Sequence, residues 1–143
     1  WGWFDPYDKE SLSPAIEKAT AYINEHALLA EKLNKPVVLE EFGISRDNND
    51  HAVTGFVTLR DEYYNQIFTH ILDKAAAGSP IAGLNFWAWG GMGRPREPEA
   101  IWHTGDDFTG DPPHEHQGWY SVYDTDSTTL EIIDQYTRKF NSL

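Results

Sequence analysis

Two adjacent acids stand where a strand should end. The stretch KPVVLEEFG, Lys35 to Gly43, runs from apolar and β-branched residues straight into Glu40 and Glu41, then an aromatic and a glycine. A second stretch, IAGLNFWAW at 81–89, closes on Trp87 and Trp89. A carboxylate beside indole rings suits sugar chemistry: the apolar face of a sugar stacks on the ring while the carboxylate acts at the anomeric carbon. The bland alternative is a solvated strand end with no role. Three features weigh against it. The acids sit at the carboxyl end of a strand, the second strand is rich in tryptophan, and so is the long segment after it.

Elements must hold these residues. Residues 13–34 read as a helix, with Ser13 as cap, Pro14 at the first helical position, and Ile16, Ala19, Ile23, Ala27 and Ala30 on one face. Asn34 with Lys35-Pro36 ends it. Residues 37–42 read as a short strand, apolar on both faces, of the kind that parallel sheets cover with helices. Residues 61–77 form a second helix, with Tyr64, Ile67, Phe68, Ile71, Leu72 and Ala75 as its buried stripe and Gly78 at its end. Residues 81–89 form a second buried strand. Residues 90–126 are rich in Gly, Pro, Asp, His and Trp and show no sustained period, yet Trp102, Phe108, Trp119 and Tyr120 argue for order. A closing helix covers 128–141, with Thr128 and Glu131 as a capping box and Leu130, Ile133, Tyr136 (or Thr137) and Phe140 on its apolar face.

The order has a βαβ rhythm and predicts an α/β fold of parallel strands with right-handed crossovers. Two such strands cannot bury both faces and satisfy both edges, and GFVTL at 55–59 is only a weak third. The chain therefore reads as a segment of a larger α/β protein. Its open edges and apolar inner face invite the missing half or a second copy. In parallel folds, (β/α)8 barrels above all, chemistry gathers at strand carboxyl ends. Regular alternation would send one of Glu40 and Glu41 to that mouth and the other to the helix layer.

Bulk properties narrow the field. The 143 residues, 40% apolar and 24% charged, have a globular composition sized for one domain. A net charge of -12 disfavours nucleic acid and anionic membranes and suits a neutral substrate. The absence of cysteine excludes disulfides, thiolate zinc sites and cysteine nucleophiles. No apolar run approaches the roughly 18 residues of a membrane span. The opening WGWFDPYDKE carries no secretion signal and reads as the interior of a longer sequence.

Four stretches in order, WGWFDP, KPVVLEEFG, GLNFWAWGG and GDPPHEHQGWYSVYDTDSTTLEII, resemble the C-terminal part of glycoside hydrolase family 5, and within it the bacterial endo-β-1,4-mannanases. The resemblance covers nearly the whole chain. It implies the C-terminal segment of a (β/α)8 barrel, strands seven and eight with helices six to eight, so that residues 1–143 are part of one catalytic domain. It implies retaining hydrolysis of mannan, glucomannan or galactomannan, with no cofactor and no metal. In the family the glutamate before the aromatic–glycine pair of strand seven is the nucleophile, which is Glu41 here. Trp87 matches the strand-eight tryptophan that stacks under the sugar at the cleavage point. Trp1 matches a tryptophan after strand six that contacts substrate. Trp102 either walls a subsite or simply pins its loop.

The family's acid/base glutamate follows an asparagine at the end of strand four. The one Asn-Glu pair here, Asn24-Glu25, lies inside the first helix and does not fit. The acid/base and the N-terminal half of the barrel are thus expected outside this chain, as its partner. The other partner is β-mannan polysaccharide or oligosaccharide, and a polymeric substrate implies an extracellular or periplasmic location. Other readings stay open: the same fold acting on a β-1,4-glucan, β-glycan binding without cleavage through Trp1, Trp87 and Trp102, or an inactive remnant. His103, His114 and His116 with Asp106, Asp107, Asp111 and Glu115 match no strong metal template.

Overall fold

The computed structural model describes residues 1–143. Its first helix, α1, spans Leu12–Leu33 and is entered through a 3-10 turn at Lys9–Ser11. The start therefore lies upstream of Ser13. The Asp8 carboxylate accepts the Glu10 N–H at 3.0 Å, and the Ser11 hydroxyl accepts the Asp5 N–H at 2.9 Å. Pro14 falls in the first turn, where an N–H would have no partner inside the helix. Asn34 closes α1 in the left-handed conformation, φ 50 and ψ 50, as the sequence suggested.

Strand β1, Val37–Phe42, pairs in parallel with β2, Ile81–Phe86, and α2, Thr58–Ala76, crosses between them. Helix α2 starts earlier than residue 61 because a distant side chain caps it. The Asp47 carboxylate accepts the N–H groups of Thr58 and Leu59 at 3.2 and 2.9 Å. GFVTL is consequently not a strand. The strand expected over 81–89 also stops short, at Phe86. The Trp87–Ala88 peptide is cis, and the chain resumes as β3, Trp89–Gly91, parallel to the short β4, Val122–Tyr123.

One face of the β1–β2 pair carries the core. Tyr64, Ile67 and Ile71 of α2 are fully buried, joined by Ala19, Ile23 and Ala27 of α1 and by Phe42 and Ile81. Val37, Leu39, Leu84 and Phe86 pack on that cluster from the sheet. The opposite face is open: Val38 is 40% exposed, and Glu40 and Asn85 are exposed too. This is the open inner face expected of a segment with two strands, since the three helices cover only the other side.

The last helix, α3, Ser127–Phe140, buries Tyr136 and Thr129 against α2. Its N-cap is Asp126, so the expected Thr128–Glu131 box is not the device that starts it. The Asp126 carboxylate faces inward instead and binds two fully buried guanidiniums. Arg46 reaches it at 2.7 and 3.0 Å, and Arg60 at 2.9 Å. Both arginines also donate to the Ser121 carbonyl. This cluster ties the segment after β1, helix α2 and the end of the long loop into one unit.

Candidate active site

The acid pair sits on a break in the strand. Leu39 pairs with Leu84 and Phe42 with Phe86, so the register slips by one residue across Glu40 and Glu41. Glu41 takes the left-handed conformation, φ 54. That geometry is a bulge, and a bulge re-aims side chains. Leu39 and Phe42 both pack on the helix layer, while Glu40 and Glu41 are both exposed. The alternation expected from sequence, with one acid turned to the helices, is thereby overturned. A glutamate held at positive φ costs of order 1–3 kcal/mol, and such residues cluster at functional sites.

Glu40 and Glu41 have different surroundings. The Asn85 amide donates to both Glu40 oxygens, at 3.0 and 2.9 Å, across the β1–β2 pair. Glu41 is exposed and accepts no hydrogen bond from a side chain or a backbone N–H of this chain.

Trp87 lies at the carboxyl end of the neighbouring strand. Its N–H donates to the Phe42 carbonyl at 2.9 Å, and its own carbonyl accepts the Tyr64 hydroxyl at 3.3 Å. Burial pushes the Tyr64 hydroxyl well above its ordinary pKa, so it stays a donor. Gly43 permits this approach: a Cβ there would lie 2.3 Å from the Trp87 carbonyl oxygen. The backbone beyond Glu41 and the backbone of Trp87 are thus clamped together by contacts that tolerate no side chain at position 43.

Trp1 and Trp102 are anchored elsewhere. Trp1, 82% exposed, packs edge-on against Trp3 and Tyr22, each at 4.8 Å between ring centres. Trp102 stacks on Phe108 at 5.4 Å and donates to the Asp106 carbonyl. Asp106 in turn holds Arg96 at 2.5 Å. The structure therefore places Glu41 and Trp87 at adjacent strand ends and leaves Trp1 and Trp102 in clusters of their own.

The long loop is ordered by buried polar hubs. Asp111 accepts the N–H groups of Gly118 and Tyr120 and the Ser121 hydroxyl. Gln117 accepts the Thr109 hydroxyl and donates to the carbonyls of Pro112 and Glu115. His51, buried after β1, has its Nδ1 3.5 Å from Glu99 and its ring beside those of His116 and Trp119. Burial lowers its pKa, against the opposing pull of Glu99. No group of three or more His, Asp or Glu side chains is arranged to hold a metal ion. Asn85 was not singled out from sequence. The signal for Asn85 was its place beside Glu40 once the two strands are set in parallel.

A family model described as glycoside hydrolase family 5 beta-mannosidase-like matches residues 1–143. Among solved structures, the family 5 mannosidase of Rhizomucor miehei is 37% identical, with a TM-score of 0.88 over 99% of this chain. A mutant of that enzyme in complex with mannosyl-fructose superimposes with a TM-score of 0.87. The chain spans 35% of the Rhizomucor enzyme's length. The endo-beta-1,4-mannanase of Thermotoga petrophila, 22% identical, has a TM-score of 0.60 over 91% of this chain and shares the fold. A search of curated proteins finds no match.

Proposed function

Because the chain belongs to the glycoside hydrolase family 5 beta-mannosidase-like family along its full 1–143 span, we propose that it supplies the nucleophile side of a retaining β-mannoside hydrolase. The observation that carries this reading is the bulged, left-handed Glu41 beside Trp87 at adjacent strand ends. In this role β1 and β2 are strands seven and eight of the barrel, α1 to α3 are its sixth to eighth helices, and residues 1–143 are the C-terminal part of one catalytic domain.

The chemistry follows from a carboxylate facing an anomeric carbon. Glu41 attacks that carbon and the glycosidic C–O bond breaks. The leaving oxygen takes a proton from an acid/base carried by the rest of the barrel. Water, deprotonated by the same residue, then cleaves the glycosyl ester and frees Glu41. Trp87 stacks on the sugar at the cleavage point, and Trp1 and Trp102 extend the cleft. No cofactor enters these steps.

The substrate proposed is β-1,4-linked mannan, cut internally, and such a polymer is met outside the cell or in the periplasm. A second reading has one observation in its favour: the 37% identical relative is described as a mannosidase, which favours release of terminal mannose. The test uses the complete barrel, as one polypeptide or as co-expressed parts. Mannan, galactomannan, glucomannan, carboxymethylcellulose and short manno-oligosaccharides are digested by the parent and by Glu41→Gln. The reading expects mannose-containing products of retained configuration from the parent and a loss on the order of 10⁴-fold in the mutant. Ladders of oligosaccharides indicate internal cleavage, and mannose alone indicates terminal release. Undiminished cleavage by Glu41→Gln refutes the role of Glu41, and cleavage of carboxymethylcellulose in preference to mannan refutes the substrate.

A further inference from the structure

The open face of the β1–β2 pair presents an anion with too few partners. Val38, Glu40 and Asn85 point away from the helix-packed core. Glu40 accepts only the Asn85 amide, although a carboxylate has about four acceptor sites. In a closed barrel this face is the packed interior. A carboxylate there is tolerated only when it is paired and hydrogen-bonded.

The chain's own cations cannot supply that pair. All five arginines are engaged elsewhere: Arg46 and Arg60 with Asp126, Arg94 with Asp124, Arg96 with Asp106, and Arg138 with Asp134. The lysines sit on the helices, in the 3-10 turn that leads into α1, or at Lys35 before β1. Lys35 precedes Glu40 by five residues, about 16 Å along an extended strand. The cation must therefore come from outside these 143 residues.

We propose that Glu40, held by Asn85, is the docking anion for a cationic side chain on the remaining strands of the barrel, and that this ion pair fastens the two parts across the barrel interior. Arginine fits best. Its planar fork engages carboxylate oxygens in pairs, and it loses less than lysine on leaving water. Charge complementarity agrees, since this part carries a net charge of -12. The inference rests on closure of the barrel and not on its hydrolytic activity, so its test reads stability alone.

The test compares thermal midpoints at pH 7 of the barrel-length polypeptide and two variants. Glu40→Gln keeps the shape and the contact with Asn85 but removes the charge. With a cation opposite, its midpoint falls by several degrees, on the order of 5–10 °C. Without one, removing an unpaired buried charge leaves the midpoint unchanged or raises it, and that overturns the proposal. Asn85→Asp supplies an independent reading should Glu40→Gln fail to fold. With a cation present, the added carboxylate shares it and the midpoint stays within about 2 °C of the parent. A midpoint that falls at pH 7 and recovers at pH 5 reports two acids repelling each other with no cation, and overturns it too. Native mass spectrometry of the same preparations is expected to show a barrel-length monomer. A dimer that Glu40→Gln dissociates would give this face to a second copy and contradict the proposal.

Discussion

Replacing Asp126 by alanine tests the cluster that fastens the long loop to the core. Arg46 and Arg60 are both fully buried, and Asp126 is the anion they share. The carboxylate also accepts the Tyr123 N–H at 2.9 Å, so its loss frees four donor contacts at once. Two guanidiniums would then be left without a counter-charge. Breaking a buried pair in this way costs about 3–5 kcal/mol. A typical domain has only about 5–15 kcal/mol to lose. At roughly 2 kcal/mol per molar urea, the unfolding midpoint followed by tryptophan fluorescence should fall by about 1.5–2.5 M. Asp134→Ala is the control. It removes an exposed pair with Arg138 on α3, 2.8 Å long, and should move the midpoint by less than about 0.3 M. A triple replacement of Arg46, Arg60 and Asp126 by apolar residues should recover much of the loss, because it removes the stranded charges along with their partner. If Asp126→Ala shifts the midpoint no more than Asp134→Ala does, the reasoning about the buried cluster is wrong.

Other expectations follow from the same contacts. Gly43→Ala places a Cβ against the Trp87 carbonyl, so it should destabilise by about 1–3 kcal/mol and shift the tryptophan emission, whereas Gly83→Ala, whose Cβ would meet nothing closer than the Val38 side chain at 3.9 Å, should leave the emission unchanged. His51 and His70 both have pKa values lowered by burial, so the unfolded chain binds protons that the folded chain refuses. Stability should therefore be full above about pH 6.5 and decline as the pH falls below it; a parent and a His51→Leu variant with identical melting profiles between pH 5 and 7 would exclude His51 from that decline. Burial raises the Tyr63 hydroxyl to about 12 and the Tyr64 hydroxyl further, so titration by ultraviolet absorbance to pH 11 should leave both protonated; release of all seven phenolic protons by pH 11 would contradict their burial.

Much of the framework was legible in the sequence, for local reasons. The apolar spacing of α1 and α2 and the apolar run at 37–42 fix those elements through periodicity and length, and the structure keeps them to within a few residues. What the sequence hid depends on distant partners. Helix α2 begins early because Asp47, eleven residues before Thr58, reaches its first N–H groups. Asp126 looks like one acid among many until two arginines from other elements converge on it. The long loop has no period because Asp111 and Gln117 order it through side-chain hydrogen bonds, which leave no repeating pattern. At the site, the EEFG motif located the acids, and the paired strands made Trp87 a neighbour of Glu41. The bulge that leaves both glutamates exposed was not legible, since it rests on a single left-handed dihedral at Glu41 and a slip in register that only the pairing with β2 reveals.

The central claim is that Glu41 is the group that bonds to the sugar. The most direct test incubates the complete barrel with a 2-deoxy-2-fluoro-mannosyl fluoride of β configuration, which forms the glycosyl-enzyme but releases it slowly, and then locates the adduct by peptide mass spectrometry. The account predicts one fluoromannosyl ester, on Glu41 within the peptide that spans KPVVLEEFG. An adduct on Glu40, or on a carboxylate outside this chain, would contradict it.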